Sequence, residues 1–296
     1  MAQSNNALID EQVPEQVTDF GSTATTKTKE RYLSIRSIPF ALMHLVCLTA
    51  LLTGVSYKAV LLCIAMYLIR MFALTAGYHR YFAHRSYATS RGFQFVLALL
   101  GCTAAQKGPL WWAAHHRQHH KYTDSEGDIH SPRQNGFWWA HIGWVLSTRY
   151  EATNFSEIKD FAKFPELRWL NNWHIIPAVA AAVMCYLIGG WQGLVWGFFI
   201  STVVLYHGTF SINSLSHMFG SQRYETGDDS RNNLFLALLT SGEGWHNNHH
   251  HYMASVRQGF FWWEIDLSFY GLKLLEAMRL IWNLRVPPAR LLSQGT

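Results

Sequence analysis

The sequence predicts an all-α integral membrane protein with four transmembrane helices arranged in two hairpins. Its 296 residues are 49% hydrophobic and only 15% charged, against about 25% charged residues in a typical soluble domain. Four apolar runs have close to the ~20 residues that a helix needs to cross a bilayer. Only short turns, at 56–58 and at Gly189-Gly190, separate the members of each pair, so each pair should fold as an antiparallel hairpin. The four runs are 38–55, 59–78, 173–188 and 191–211.

The chain is expected to be one membrane domain, 31–296, preceded by a tail. Residues 1–30 are polar and lack the apolar run of a signal peptide, so we expect a disordered segment. Lys58 is the one basic residue at the predicted hairpin tips, whereas the other ends of the spans are rich in Lys and Arg. The positive-inside rule therefore places both termini in the cytoplasm.

Charge and cysteine usage exclude some classes of protein. A formal net charge of +5 suits contact with an anionic membrane surface or an acidic partner, and no basic run indicates nucleic-acid binding. The four cysteines are scattered through apolar segments, which is typical of small buried side chains. Arg70 lies inside the second run and should face protein, water or the membrane interface. The run 92–106 is too short to span and should be interfacial or re-entrant.

Three histidine clusters lie at the ends of the spans or beyond them: His79…His84, 115–120 and 246–251. Neutral imidazole is the commonest ligand for transition metals in proteins. Two clusters share the pattern His-x-x-His-His, and positions i, i+3 and i+4 lie on one helix face, so each pattern should converge on one point. His79 and His84 are about 140° apart on a regular helix and should flank a metal without sharing a face. The first pattern consists of His116, His119 and His120, and the second of His246, His249 and His250.

Spacing alone leaves several residues open. His115 competes with His116, because His115 and His119 are also four residues apart. Asn213 and His217 are four apart directly after the fourth run, where an ordinary helix-end asparagine and a lone interfacial histidine are the simpler interpretation. His251 falls outside the spacing of its cluster. The remaining histidines are expected to be structural or supporting residues, namely His44, His130, His141, His174 and His207.

The number of candidate ligands indicates the chemistry. Up to nine histidines and an asparagine are too many for one tetrahedral zinc, which takes four ligands. They suit two metal ions with open coordination positions, and a nitrogen-rich set without thiolates is compatible with iron among other metals. An iron pair facing an apolar interior would carry out oxygen chemistry on an apolar substrate.

The motifs resemble those of the membrane fatty acid desaturases, and within them the Δ9 acyl-CoA (stearoyl-CoA type) desaturases and their bacterial relatives. The similarity runs from about residue 38 to 286. It is carried by Thr75-Ala76-Gly77-Tyr78-His79-Arg80, His116-Arg117-Gln118-His119-His120-Lys121, Gly136-Phe137-Trp138-Trp139-Ala140-His141-Ile142-Gly143-Trp144, Asn213-Ser214…His217 and Gly242-Glu243-Gly244-Trp245-His246-Asn247-Asn248-His249-His250.

This resemblance implies a four-span helical fold with a cytoplasmic helical cap that holds two iron ions. It also implies an O2-dependent reaction that removes two hydrogens from adjacent methylenes of a long saturated acyl chain and leaves a cis double bond. His116 is preferred over His115, and Asn213 corresponds to an asparagine that acts on iron through water. Transferred residue by residue, the metal ligands are His79, His84, His116, His119, His120, Asn213, His217, His246, His249 and His250.

The resemblance also bears on partners. Two electrons must come from an external carrier such as ferredoxin, cytochrome b5 or a similar reductase system. Acyl-CoA members usually have an Arg-Asp pair directly before the second cluster, where this chain has Ala114-His115. Three acyl carriers therefore remain as alternatives: coenzyme A, acyl carrier protein and a glycerolipid. Inward-facing side chains of 59–78 and 191–211 are expected to set the chain length.

Two other functions compete with desaturation. A membrane di-iron hydroxylase or alkane monooxygenase uses related clusters and the same metal, but usually has a different third cluster and more spans. A metal-binding or transport protein would place His or Asp within its spans, whereas these clusters lie at or beyond the span ends.

Overall fold

The computed structural model describes residues 37–293, and this part of the chain is mostly helical. The predicted disordered tail, 1–30, lies outside the described residues. The α-helices are α1 Ile38–Cys47, α2 Ala50–Thr53, α3 Tyr57–Phe72, α4 Arg91–Cys102, α5 Pro109–Tyr122, α6 Pro132–Asn135, α7 Trp144–Leu146, α8 Lys159–Ala162, α9 Pro165–Asn172, α10 Ile175–Gln192, α11 Ser201–Ser214, α12 Leu234–Leu239, α13 His246–His251, α14 Leu267–Ala277 and α15 Ala289–Leu292. Two short strands, β1 Ala88–Thr89 and β2 Ile281–Trp282, pair antiparallel.

The first predicted hairpin consists of α1, α2 and a long helix that begins at α3. Gly54 adopts φ 69°, which favours glycine, and ends α2. The Ser56 hydroxyl then accepts from the Ala59 N–H and caps α3. After α3 the chain continues as a π-helix over Ala73–Ala83. The whole rod, Tyr57–Ala83, is 27 residues long and extends five residues beyond the predicted run at 59–78.

The second predicted hairpin is formed by α10, a π-helical segment Gly193–Ile200, and α11, which ends in a 3₁₀ turn at Leu215–His217. Gly189 and Gly190 leave the helical conformation, with φ/ψ of −138°/19° and 56°/−145°. Gly193 then lies directly against Cys185, eight residues earlier, which requires the chain to have turned back on itself. The Gly-Gly turn predicted from the sequence is therefore confirmed.

The tips of the two hairpins meet. The Ser56 hydroxyl donates to Gln192 Oε1 at 2.7 Å, and Gln192 Nε2 donates to the Thr53 carbonyl at 2.7 Å. Trp196 Nε1 reaches the Gly54 carbonyl at 3.0 Å. Both turns therefore lie at one end of the helical body.

Two helices in the described part are long and apolar enough to cross a membrane: Tyr57–Ala83 and Ile175–His217, the latter containing both limbs of the second hairpin. The segments Ile38–Thr53 and Arg91–Cys102 are apolar but shorter. Arg70 is fully buried, as expected, and bonds to the Ser201 and Thr202 hydroxyls. His79, His84 and His217 lie at or just beyond the ends of these two long helices, away from the hairpin tips.

Candidate metal centre

Five histidines from all three clusters meet at one point, called site one. One ring nitrogen from each lies within 4.8 Å of the others. The Nε2 atoms of neighbouring rings are 2.9–3.1 Å apart, from His79 through His249, His120 and His116 to His84. The members of site one are His79, His84, His116, His120 and His249.

Four further histidines form site two, again with one ring nitrogen each within 4.8 Å. The Nε2 atoms of His217 and His246 are 3.0 Å apart. The rings of His120 and His250, one from each site, have centroids 4.5 Å apart, so the two sites are adjacent. The members of site two are His119, His217, His246 and His250.

The expectation that each His-x-x-His-His pattern converges on a single point is wrong. On α5, His116 and His120 belong to site one and His119 to site two. On α13 the assignment is reversed, since His246 and His250 belong to site two and His249 to site one. The reason is angular: residues i and i+4 differ by about 40° around a helix, whereas i+3 and i+4 differ by about 100°. Each pattern therefore contributes a pair to one site and a single ligand to its neighbour.

The expected separation of His79 and His84 on a regular helix is also wrong, because this helix is not regular. The segment Ala73–Ala83 is π-helical, and the His84 N–H donates to the His79 carbonyl at 3.1 Å. A π-helix closes its hydrogen bonds from i to i+5, so residues five apart lie nearly above one another. Their rings have centroids 4.8 Å apart, and both enter site one.

Four of the nine histidines donate their Nδ1–H to a buried or half-buried carboxylate. Asp128 accepts from His119, Asp124 from His217 and Asp228 from His250, each at 2.9 Å. Glu243 Oε2 pairs with His79 Nδ1. Such bonds fix the ring orientation and leave Nε2 free to bind a metal. The sequence reasoning missed these acids, although Asp124, Asp128 and Glu243 all lie within eight residues of a histidine pattern.

The electrostatics keep six of the imidazoles neutral and the four carboxyl groups ionised. Burial, and next the neighbouring histidines, hold the pKa well below 6.5 for His84, His116, His120, His246 and His249. Burial lowers the pKa of His250 to about 4, although Asp228 opposes this shift. Burial alone would raise the pKa of Glu243, but His79 and Arg80 bring it to about 2. Neutral imidazole is the form that binds metal.

A buried arginine ties the first histidine pair to the third cluster. Arg80, adjacent to His79, bonds to both oxygens of Asp266 at 3.0 and 3.2 Å and to Glu243 Oε1 at 3.0 Å. It also donates to the Val256 carbonyl at 2.7 Å. Because Glu243 holds both Arg80 and His79, the π-helix and the loop before α13 are locked together at the site.

The structure also places the remaining candidate residues. Asn213 is half-buried in the wall of the cavity described below, one helical turn before His217. His115 bonds to the Trp111 carbonyl at 2.8 Å and joins neither site. His130 is buried, and its backbone N–H donates to Asp128, which agrees with a supporting role. His251 stacks on Tyr224 and joins neither site.

Three histidines expected to be separate structural residues form a chain. His44 Nε2 lies 3.1 Å from His207 Nε2, and His207 Nδ1 lies 3.0 Å from His141 Nε2. His141 Nδ1 then reaches the Ser214 hydroxyl at 2.9 Å. The chain joins α1 to α11 and to the π-helical segment Trp139–Gly143 before α7, so these side chains satisfy one another within apolar surroundings.

The donor atoms fit metal ions. Two nitrogens bound to one ion at about 2.1 Å and at a right angle would lie about 3 Å apart, and the Nε2 atoms of site one have this spacing. Within residues 37–293, the buried Nε2 atoms of His119 and His250 have no hydrogen-bond partner, which a metal at site two would satisfy. The two histidine sites are therefore compatible with metal binding.

An apolar cavity of about 890 Å³ leads from the histidines into the helical body. His116, His130 and Asn213 lie at one end, and Tyr186 and Trp191, near the hairpin tips, lie at the other. Its walls come from α1, α10 and 191–213, as well as from the region around α5 and α7. The described lining includes residues of 191–211 and none of 59–78. The effect of either span on chain length stays a prediction.

Comparison with known proteins agrees with this geometry. A family model described as fatty acid desaturase matches residues 56–278. The chain is 39% identical over 249 residues to acyl-CoA 5-desaturase AL21 of Anemone leveillei, covering 83% of this chain and 77% of that protein. It is 36% identical over 270 residues to the sn-1 stearoyl-lipid 9-desaturase of Anabaena variabilis, covering 89% of this chain and 98% of that protein. It is 37% identical over 255 residues to the sn-1 stearoyl-lipid 9-desaturase of Synechocystis, covering 84% of this chain and 79% of that protein.

The match covers the long rod that carries His79, all three histidine clusters and both hairpin limbs 175–217. The chain therefore belongs to the fatty acid desaturase family and is an oxidoreductase of that family.

Proposed function

We propose that this protein is an O2-dependent desaturase that introduces a cis double bond at C9 of a long saturated acyl chain, with two iron ions in sites one and two. The observation that carries the proposal is the grouping of nine buried or half-buried histidines into two adjacent sites, one of which reaches an apolar cavity through His116. The stearoyl-lipid 9-desaturases among the relatives support the C9 position.

In this proposal site one and site two bind one iron each, and the ligands are the nine histidines together with Asn213, acting through water. Bound iron would supply the O2 activation that attack on an unactivated C–H bond requires. The protein's contribution is positional. The four carboxylates orient imidazoles, and the cavity holds two adjacent methylenes beside the histidines while excluding bulk water.

The balance of the reaction requires an external reductant. One O2, two electrons and two protons, with two hydrogens from the acyl chain, give the alkene and two water molecules. We propose that ferredoxin, cytochrome b5 or a similar reductase system supplies the electrons at the cytoplasmic surface. The substrate carrier is coenzyme A, acyl carrier protein or a glycerolipid.

We propose that residues 31–296 form a single multi-pass membrane domain with four spans, at 38–55, 59–78, 173–188 and 191–211, and a cytoplasmic helical cap. The contact between the two hairpin tips supports this topology, because both turns then lie on the side where Lys58 is the one basic residue. The histidine sites and both termini would be cytoplasmic.

The test is expression of the chain in a desaturase-deficient host, with mass spectrometry to locate the double bond. We expect C9 monoenes and two iron ions per chain. His249→Ala and His120→Ala should abolish the product, because each removes an Nε2 atom from site one, while membrane insertion persists. His251→Ala, next to His250 but outside both sites, is the matched control and should remain active.

The alternatives give different results in the same experiment. Hydroxylated chains without monoenes would indicate a di-iron hydroxylase or alkane monooxygenase. Bound zinc and no oxygen consumption with reduced donor and acyl substrate would indicate a metal-binding or transport protein. Full activity of His249→Ala would remove that residue from the proposed ligand set.

A further inference from the structure

One wall of the cavity is a single face of α10. The residues that line it recur every three or four positions, so they lie on one side of the helix. They are Ile175, Ala178, Val179, Ala182, Val183 and Tyr186. This face extends over about 16 Å of the helix, at 1.5 Å per residue.

The lining residues at one border of this face are also exposed. Ile175 and Val179 are each 54% exposed and Val183 is 50% exposed. On the helix they adjoin Ile176 and Met184, which do not line the cavity and are 46% and 43% exposed. No buried residue of α10 separates the two groups, whereas Ala178 at the opposite border is buried against the rest of the protein. The cavity therefore opens on the outer flank of α10.

The opposite rim of this opening is α1. Pro39, Phe40 and Met43 line the cavity, and the outward-facing Leu42 and Leu45 are 51% and 58% exposed. Both rims are apolar, and both helices belong to proposed membrane spans. We call the gap between these two helices the side opening; it is bordered by Val179 and Val183 on α10 and by Phe40 and Met43 on α1. The side opening would therefore face the acyl chains of the bilayer.

The charges around the cavity also bear on the substrate. Among the described residues that line it, Lys107 and Glu151 are the one lysine and the one glutamate, and there is no arginine. Coenzyme A carries several phosphate groups, which proteins bind with clustered arginine and lysine side chains. A chain esterified to a glycerol backbone in the membrane needs no such cluster.

We propose that the acyl chain enters sideways from the bilayer through the side opening while it remains esterified to a membrane glycerolipid. This inference rests on the proposed desaturase function and names its substrate class. The glycerol ester stays at the membrane surface, near the His174 end of α10, while the chain lies along the cavity towards Tyr186. No bond to the carrier is made or broken.

The first experiment uses membranes of a desaturase-deficient host that expresses the full chain, so that the host's own electron donor is present. Two probes that cannot exchange their chain are compared: 1-O-octadecyl-2-oleoyl phosphatidylcholine, and the thioether analogue of stearoyl-CoA. We expect the ether lipid to gain a double bond at least tenfold faster than the thioether. Faster conversion of the thioether, or no conversion of the ether lipid in a host that makes monoenes, overturns the inference while the proposed function stands. Absence of monoenes from every substrate would instead defeat the proposed function.

The second experiment narrows the side opening. Val179→Trp and Val183→Trp should each reduce glycerolipid desaturation at least tenfold while two iron ions per chain are retained. Val204→Trp is the matched control, because Val204 is 44% exposed on α11 and does not line the cavity. Val183→Phe provides a milder substitution if a tryptophan variant lacks iron. Iron-loaded variants as active as the control would show that the chain enters elsewhere.

Discussion

At the scale of single residues, the neighbours Asp228 and Asp229 show how position decides what a carboxylate does. Asp228 accepts from His250 Nδ1 at 2.9 Å, from the Thr226 hydroxyl at 2.7 Å and from the Ser230 N–H at 2.9 Å. Burial would raise the pKa of Asp228, but the hydrogen bond and charge of His250 lower it. Asp229 instead forms a surface ion pair with Arg133 at 2.9 Å.

This difference gives a matched pair of variants. Asp228→Asn should weaken iron binding at site two by about 10–100-fold, because loss of the carboxylate loosens the orientation and basicity of His250. Asp229→Asn should change iron affinity by less than about twofold, since an exposed ion pair contributes about 0–1 kcal/mol. Iron retention against a graded chelator measures both. Equal retention in the two variants would show that the Asp228 bond does not support the metal.

Sequence alone indicated most of these residues but not their grouping. The histidine patterns, together with the family resemblance, predicted the nine histidines that the structure groups into the two sites. The pattern did not show that His119 and His249 each belong to a different site from the other two histidines of their pattern. That grouping depends on where α5 and α13 lie relative to each other. Asp228 was missed for a similar reason: it is 22 residues from His250.

At the scale of secondary structure, the second hairpin depends on glycines that allow close helix contact. A Cβ added at Gly193 would lie 2.2 Å from the Cys185 carbonyl oxygen, and one at Gly197 would lie 2.8 Å from Leu62. The first contact is with backbone, which cannot move aside without separating the two limbs. Gly189, in the turn itself, has nothing within 4 Å of the corresponding position.

Alanine substitutions should therefore have unequal effects. We expect Gly193→Ala to destabilise the protein by about 1–3 kcal/mol or more, as overpacked sites do. Gly189→Ala should stay within about 0.5 kcal/mol, because its φ of −138° suits alanine and the space is open. Thermal unfolding of the two variants in lipid nanodiscs distinguishes them. A Gly193→Ala protein with the melting temperature of Gly189→Ala would contradict the close packing.

The π-helix over Ala73–Ala83 marks a limit of prediction from one sequence. An apolar run indicates a helix and its approximate ends. The predicted Gly189-Gly190 turn is confirmed, whereas the turn predicted at 56–58 is displaced, because the break lies at 54–56 and α3 already begins at Tyr57. The π-helical segment packs against α4 and α5, and an apolar run by itself does not distinguish α from π hydrogen bonding. The five-residue spacing of His79 and His84 was a signal, but an ambiguous one.

At the scale of the whole molecule, the cavity combines walls from segments that are far apart in sequence. Leu194, Phe198 and Tyr206 line it from the span 191–211, whereas the other walls come from α1, α10 and the region around α5 and α7. Hydrophobic runs predict which helices exist, but not which pair encloses a space. That arrangement follows from the packing of α3 against the π-helical segment 193–200, where Leu62 meets Gly197 and keeps α3 away from the cavity.

The length of this cavity should therefore set the preferred length of the acyl chain. Ala182 lies seven residues along α10 from Ile175, about 10 Å deeper towards the hairpin tips. Ala182→Phe should fill the deep end, so that C18 substrates lose at least tenfold in rate while C14 or C16 substrates are retained. Ala180→Phe is the control, since Ala180 is exposed on the same helix and does not line the cavity. Product profiles by gas chromatography measure the preference. An unchanged ratio of C18 to C16 products in Ala182→Phe would mean that the acyl chain does not pass Ala182. Other residues would then determine the preferred chain length.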